Sequence, residues 1–178
     1  MKRLRSQLFS LCLFLPVVAL AADSGFAGRW QLDTKRSTAL DGWSTADLVI
    51  SIDGNIVLFR YEMTWHATKV TAENEAKTNT AIEHPDFFRI DQRHMAVYAR
   101  PKEAAHVQPA VWLDGEHTLR IEAQVPLETS QGNTTMRLYQ EYRLLEGGNE
   151  LVLIELHSTR SRPLIYQFTK VPAEAAKK

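Results

Sequence analysis

The side chains able to do acid–base or metal chemistry are scattered through this chain. Its six histidines are His66, His84, His94, His106, His117 and His157. None forms an H-x-H, H-x-x-x-H or H-E-x-x-H pair that would pre-place two ring nitrogens on one face. His84 with Asp86 in one loop, joined by His94, comes closest to a metal constellation, but without ligand spacing no metal and no cofactor is assigned. The histidines are expected on loops and outward faces, His66 and His157 among them. No G-x-S-x-G elbow, phosphate loop or dinucleotide fingerprint occurs, and Gly147-Gly148 ends a hairpin instead of opening a helix. A Ser, His and Asp set assembled in space stays open, with no catalytic residue assigned.

A second kind of chemistry, noncovalent reception of an apolar molecule, has better candidates. Phe59, Tyr61, Met63 and Trp65 alternate along one segment and would line one face of a strand as an apolar, polarisable wall. Gln140 is in phase with Met136, Leu138, Tyr142 and Leu144, which points an amide inward. The candidate ligand-binding residues are therefore Tyr61, Met63, Trp65, Gln140 and Tyr142. The competing reading is plain core, with Gln140 satisfied by backbone or a buried water.

Positioning these residues is the task of a mostly β domain. Period-two alternation recurs from end to end, and no long window carries a helical stripe. Ala46, Leu48, Ile50 and Ile52 form one inward row and Val57 to Trp65 the next, with Asp53-Gly54 as the tight turn between them. Asp114-Gly115 separates Val107 to Leu113 from Leu119, Ile121, Ala123 and Val125. Gly147-Gly148-Asn149 separates Thr134 to Leu145 from Leu151 to Thr159, and Ser161-Arg162-Pro163 leads into a last strand over Leu164 to Val171. Residues 67–94 are polar and weakly periodic. Glu73 and Lys77 are spaced for a helical pair, but the segment reads as strand, with His84-Pro85-Asp86 as a turn. Phe87, Phe88 and Ile90 return the chain to the core, and Met95 to Arg100 form a short strand. Hairpins in series describe a meander, and closing it into an antiparallel barrel hides the edges.

The chain has 178 residues, 44% hydrophobic and 24% charged, which fits one ordinary domain. Lys2, Arg3 and Arg5 precede an apolar run from Leu8 to Leu20 that ends in Ala19-Leu20-Ala21, the pattern of a secretory signal over residues 1–21. The run of about 13 residues is too short to span a bilayer. Cleavage would leave a domain over residues 22–172, a loose tail at 173–178 and no stable membrane insertion. Cys12 is the sole cysteine and leaves with the leader, so thiol catalysis and disulfides are excluded from the mature chain. The net charge, zero over the whole sequence, falls to about −3 without the three leader cations, which gives no basic face for nucleic acid. The expected location is periplasmic or secreted.

Phe26-Ala27-Gly28-Arg29-Trp30 opens the first strand, with Gly28 suited to close backbone approach and Trp30 to plugging one end of a closed sheet. These residues resemble the F-x-G-x-W opening of lipocalins and related calycins. The longer run to Asp33, with Arg36-Ser37, looks like the start of uncharacterised secreted bacterial lipocalin-like proteins. The resemblance implies a lipocalin-like up-and-down barrel in which an arginine near the last strand packs over the tryptophan, here Arg160 or Arg162. A barrel of this size is wide enough to hold one small ligand, so a small lipophilic molecule is the expected bound partner, with catalysis the poorer reading. The alternatives are an envelope protein with a filled core, with Trp43 and Trp112 as exposed anchors or as lids, and a metal-binding or enzymatic barrel.

Overall fold

The computed structural model describes residues 25–39, 43–90, 97–99, 103–129 and 131–172. The leader with Cys12, His94 and the 173–178 tail lie outside these residues, as do the ends of the strand expected over Met95 to Arg100.

Twelve strands follow one another: β1 (Gly28–Leu32), β2 (Thr45–Asp53), β3 (Ile56–Trp65), β4 (Thr68–Lys77), β5 (Ile82–His84), β6 (Val97–Ala99), β7 (Ala105–Val107), β8 (Val111–Leu113), β9 (Thr118–Thr129), β10 (Gly132–Leu144), β11 (Glu150–His157) and β12 (Leu164–Val171). They form one antiparallel sheet in the order β4-β3-β2-β1-β12-β11-β10-β9-β7-β5, with β6 and β8 also paired to β9. Among the described residues there is no helix, hence none that could cross a membrane. The architecture is an all-β, lipocalin-like up-and-down barrel. Its first-to-last closure is the β1–β12 ladder, where Trp30 pairs with Lys170 and Leu32 with Phe168.

Alternation explains the inside and outside of this tube. Ala46, Leu48 and Ile50 on β2 and Val57, Phe59, Tyr61 and Met63 on β3 are all buried, while the intervening residues face out. Arg29 spans two outward neighbours, reaching Asp47 at 3.2 Å and Glu62 at 2.7 Å. The Glu73/Lys77 part of the weakly periodic segment is the strand β4 and carries no helical turn: its 10 residues pair with β3, so tertiary pairing overrides the helical spacing.

Two turns and one strand differ from the sequence reading. The β2–β3 register pairs Asp53 with Ile56, so the turn residues are Gly54 and Asn55, with Gly54 at φ 56°. Glycine first in a two-residue turn matches the right-handed twist of the flanking strands. His66 leaves the β3 row for the next turn at φ 50°. The expected strand from Val107 to Leu113 breaks at Pro109, which has no N–H to give the ladder. Gln108 still bonds Glu122 on β9, but the Ala110 amide crosses to Lys77 of β4 at 2.8 Å.

At one end the base is stoppered as expected. Trp30 is fully buried and its indole N–H donates to the Phe26 carbonyl at 2.8 Å. The cation against its ring is Lys170 on the last strand, 5.1 Å from the ring centre. Arg160 and Arg162 sit exposed in the β11–β12 turn, which corrects the expected arginine. The Lys170 ammonium also bonds the Gly25 carbonyl at 2.6 Å. Gly28, at φ 131°, lets the chain pass beside this lysine: a Cβ there would stand 3.3 Å from Lys170 Cε.

Candidate functional site

Inside the barrel, opposite walls meet through aromatic side chains. The Tyr61 hydroxyl on β3 lies 2.7 Å from that of Tyr142 on β10. Tyr142 stacks on Phe59 at 4.7 Å, and Tyr61 packs on Phe88 at 5.2 Å. Both phenols are fully enclosed, and burial pushes both well above the ordinary tyrosine range. They stay neutral hydroxyls throughout the physiological range. Met63 is buried beyond Tyr61, whereas Trp65 is half-buried at the end of β3, its ring edge-on to His66.

Gln140 points inward, 2% exposed, and its amide nitrogen meets the side chain of Glu155. Its amide Nε2 donates to Glu155 Oε2 at 2.5 Å, and His157 Nε2 donates to Glu155 Oε1, also at 2.5 Å. The Glu155 and His157 side chains are 0% and 1% exposed. His157 is therefore interior, which corrects its expected outward placement. The signal was available: Leu151, Leu153, Glu155 and His157 share one parity on β11, and the two leucines fix that parity as inward. Charge obscured it, because acidic and imidazole side chains are ordinarily read as solvated. The register then sets Gln140 opposite Glu155 and Leu138 opposite His157.

Between β4 and β5 no backbone ladder closes the wall. Asn74, 3% exposed on β4, fills in. Its Nδ2 donates to the Phe88 carbonyl and its Oδ1 accepts from the Phe88 amide, both at 2.8 Å, so one side chain imitates a strand partner. Phe87, Phe88, Arg89 and Ile90 are four consecutive buried residues outside any strand. Phe88 reaches Tyr61, and Arg89 Nη1 reaches Met136 Sδ on β10 at 3.5 Å. This segment thus runs through the lumen between the two walls.

The remaining candidates disperse. His84 bonds the Pro85 carbonyl, His106 pairs with Glu83 at 2.5 Å, and His117 caps its own turn. Among the described residues no group of three His, Cys, Asp or Glu could hold a metal. Trp43 and Trp112 are half-buried against the core, Trp112 edge-on to Phe26 at 5.1 Å, and so are packed side chains more than exposed anchors. Clefts of about 350 and 390 Å³ open on the outer face, beside Arg137, Tyr139 and Leu156 and beside Pro109, Val111 and Arg120.

No protein-family model matches the chain, and no curated protein matches it as a relative. Among solved structures it is similar to apo lipid binding protein 8 of Caenorhabditis elegans, with TM-score 0.51 and 14% identity over 86% of this chain and 100% of that one. A Schistosoma mansoni fatty acid binding protein in complex with arachidonic acid shows TM-score 0.47 and 10% identity over 84% and 98% of the two chains. A fatty acid binding protein from brain tissue of Drosophila melanogaster gives 0.47 and 13% over 81% and 98%. At this identity the first likeness speaks to fold alone: the chain is a nearly closed, calycin-type β-barrel.

Proposed function

We propose that this protein holds a small lipophilic molecule noncovalently inside its barrel, and that its leader exports it to the periplasm or beyond. One observation carries the reading. Tyr61, Tyr142, Gln140, Glu155 and His157 converge inside a largely apolar sleeve, where packing alone would favour hydrocarbon because each buried polar group costs free energy. Few, convergent polar groups in an apolar interior are the usual composition of a ligand site. The Phe87–Ile90 segment, held by Asn74 and by no strand ladder, is the part of the lumen a ligand would displace. Met63 and Trp65 lie beyond Tyr61 on the same strand, Met63 buried and Trp65 half-buried at its end.

A filled barrel with a scaffold role is the second reading, favoured by the fact that Phe88 and Arg89 themselves occupy the lumen. Titration of the purified mature protein with an apolar, environment-sensitive dye separates the two. Saturable enhancement that lipophiles compete away is the expected result. A dye that gains no emission at any protein concentration overturns the binding reading and leaves the scaffold. Fractionation of producing cells, with mass measurement of the mature chain, checks export: the mass should correspond to a start near Ala22, and full-length chain in the cytosol would contradict it.

A further inference from the structure

Resting on the lipophile-binding reading, we propose that the lumen carries a subsite for an acylated aromatic amino acid, whose main-chain amide meets Asn74 and whose ring meets Tyr61. The chain itself occupies that subsite. Phe88 donates its backbone N–H to Asn74 Oδ1 and accepts on its carbonyl from Asn74 Nδ2, both at 2.8 Å. An extended residue presents these two groups on one edge, where a neighbouring strand would pair with them, and here a single carboxamide pairs with both. The Phe88 ring packs on Tyr61 at 5.2 Å, with the planes inclined at 47°. The wall behind it is aromatic as well, since Tyr61 meets Tyr142 and Tyr142 stacks on Phe59.

Strand β4 is shaped to receive a main chain. Its inward row holds Ala72, Asn74 and Ala76, so two short side chains flank the carboxamide and let a backbone lie close to the wall. Phe88 reaches this bed from outside any strand, just after the turn at Pro85 and Asp86, where Asp86 takes φ 53°. A few such residues at the end of an element are enough to absorb a swing of the segment. When a ligand displaces the segment, Asn74 loses a donor and an acceptor together. A hydrocarbon tail returns neither, and an ester or an ionised fatty acid offers acceptors alone. An amino-acid residue returns both. Its handedness follows from the same contacts: with N–H and C=O on Asn74, only one configuration at the α-carbon turns the ring towards Tyr61.

The test is displacement of N-phenyl-1-naphthylamine from the mature protein by N-dodecanoyl-L-phenylalanine methylamide. The comparators are its D-enantiomer, its analogue methylated on the phenylalanine nitrogen, and benzyl dodecanoate. The L-amide should compete at concentrations at least about tenfold below all of them, the scale of a hydrogen bond left unmade at a buried partner. In Asn74→Ala, checked for a cooperative thermal transition, its advantage over benzyl dodecanoate should fall to within about twofold, because neither ligand then finds the carboxamide. The wild-type ratios carry the test alone should Asn74→Ala fail to fold. Equal or tighter competition by any comparator overturns the proposal while lipophile binding stands. So does an advantage of the L-amide that survives in Asn74→Ala. Failure of every ligand to displace the dye overturns lipophile binding and this proposal together.

Discussion

Replacing Asn74 by alanine removes the side chain that spans the open seam between β4 and the Phe87–Ile90 segment. Two hydrogen bonds at 2.8 Å are lost, each contributing about 0.5–1.5 kcal/mol net, and the buried Phe88 amide is left without its acceptor, at about 1–3 kcal/mol. Because the two costs overlap, the expected destabilisation is about 2–4 kcal/mol, or roughly 5–15 °C in Tm for a domain of this size. Loosening the segment also lowers the cost of moving Phe88 out of the lumen, so apolar dye should bind faster and more tightly even as the melting temperature falls. Asn74→Asp, which keeps an acceptor for the Phe88 amide but sets a second acceptor and a buried charge against its carbonyl, should destabilise at least as much as alanine at neutral pH. Thermal melts, stopped-flow dye binding and amide exchange at Phe88 read the three effects. A variant that exchanges the Phe88 amide no faster than wild type would refute the latch. One that loses stability and dye affinity together would show that Asn74 supports the wall without restraining an occupant.

Trp30→Phe should cost about 1–3 kcal/mol, because it leaves a gap at the base and the Phe26 carbonyl without its indole donor; urea midpoints would show it. Gly28→Ala should destabilise by a similar about 1–3 kcal/mol, since φ 131° strains any side chain and the added carbon presses on Lys170; a melt unchanged from wild type would deny that the close approach matters. Tyr61 and Tyr142 set an alkaline limit. Their folded values are raised by burial, so their contribution is complete below about pH 10, the unfolded value. It is lost as the pH climbs above that, because only the unfolded chain ionises freely. Phenolate absorbance should therefore rise in two stages, with these two tyrosines titrating only together with loss of the β-sheet circular dichroism signal. Ionisation of all 5 tyrosines in one step with the sheet intact would contradict the burial.

Most strands were legible because their parity is unambiguous. Apolar residues at every second position of β2, β3, β9, β10 and β12 define one wet and one dry face, and the range Leu164–Val171 was read to the residue. The Phe26 to Trp30 opening pointed to a closed barrel through its resemblance to the lipocalin opening, and closure itself was read from the series of hairpins, whose edges a barrel hides. Turns were less secure. Asp53-Gly54 and Gly54-Asn55 are both acceptable turn pairs, and the choice between them came from the cross-strand register of β2 and β3. The stopper's cation was misplaced because Arg160 and Lys170 are equally suited chemically, and only the β1–β12 pairing sets Lys170 beside Trp30.

The sequence by itself determined which side chains of each strand point inward, Tyr61, Met63, Gln140 and Tyr142 among them, because that is a property of one strand's period. Only the tertiary structure decided who meets whom. The Tyr61–Tyr142 contact and the reach of Arg89 to Met136 join residues far apart along the chain, and the Gln140–Glu155 bond and the Asn74 latch join separate segments of it. The physical reason is that alternation fixes the direction of a side chain, whereas closing the sheet fixes the distance between two walls. A charged residue such as Glu155 or His157 becomes an interior group only once that closure has supplied partners to hold it there.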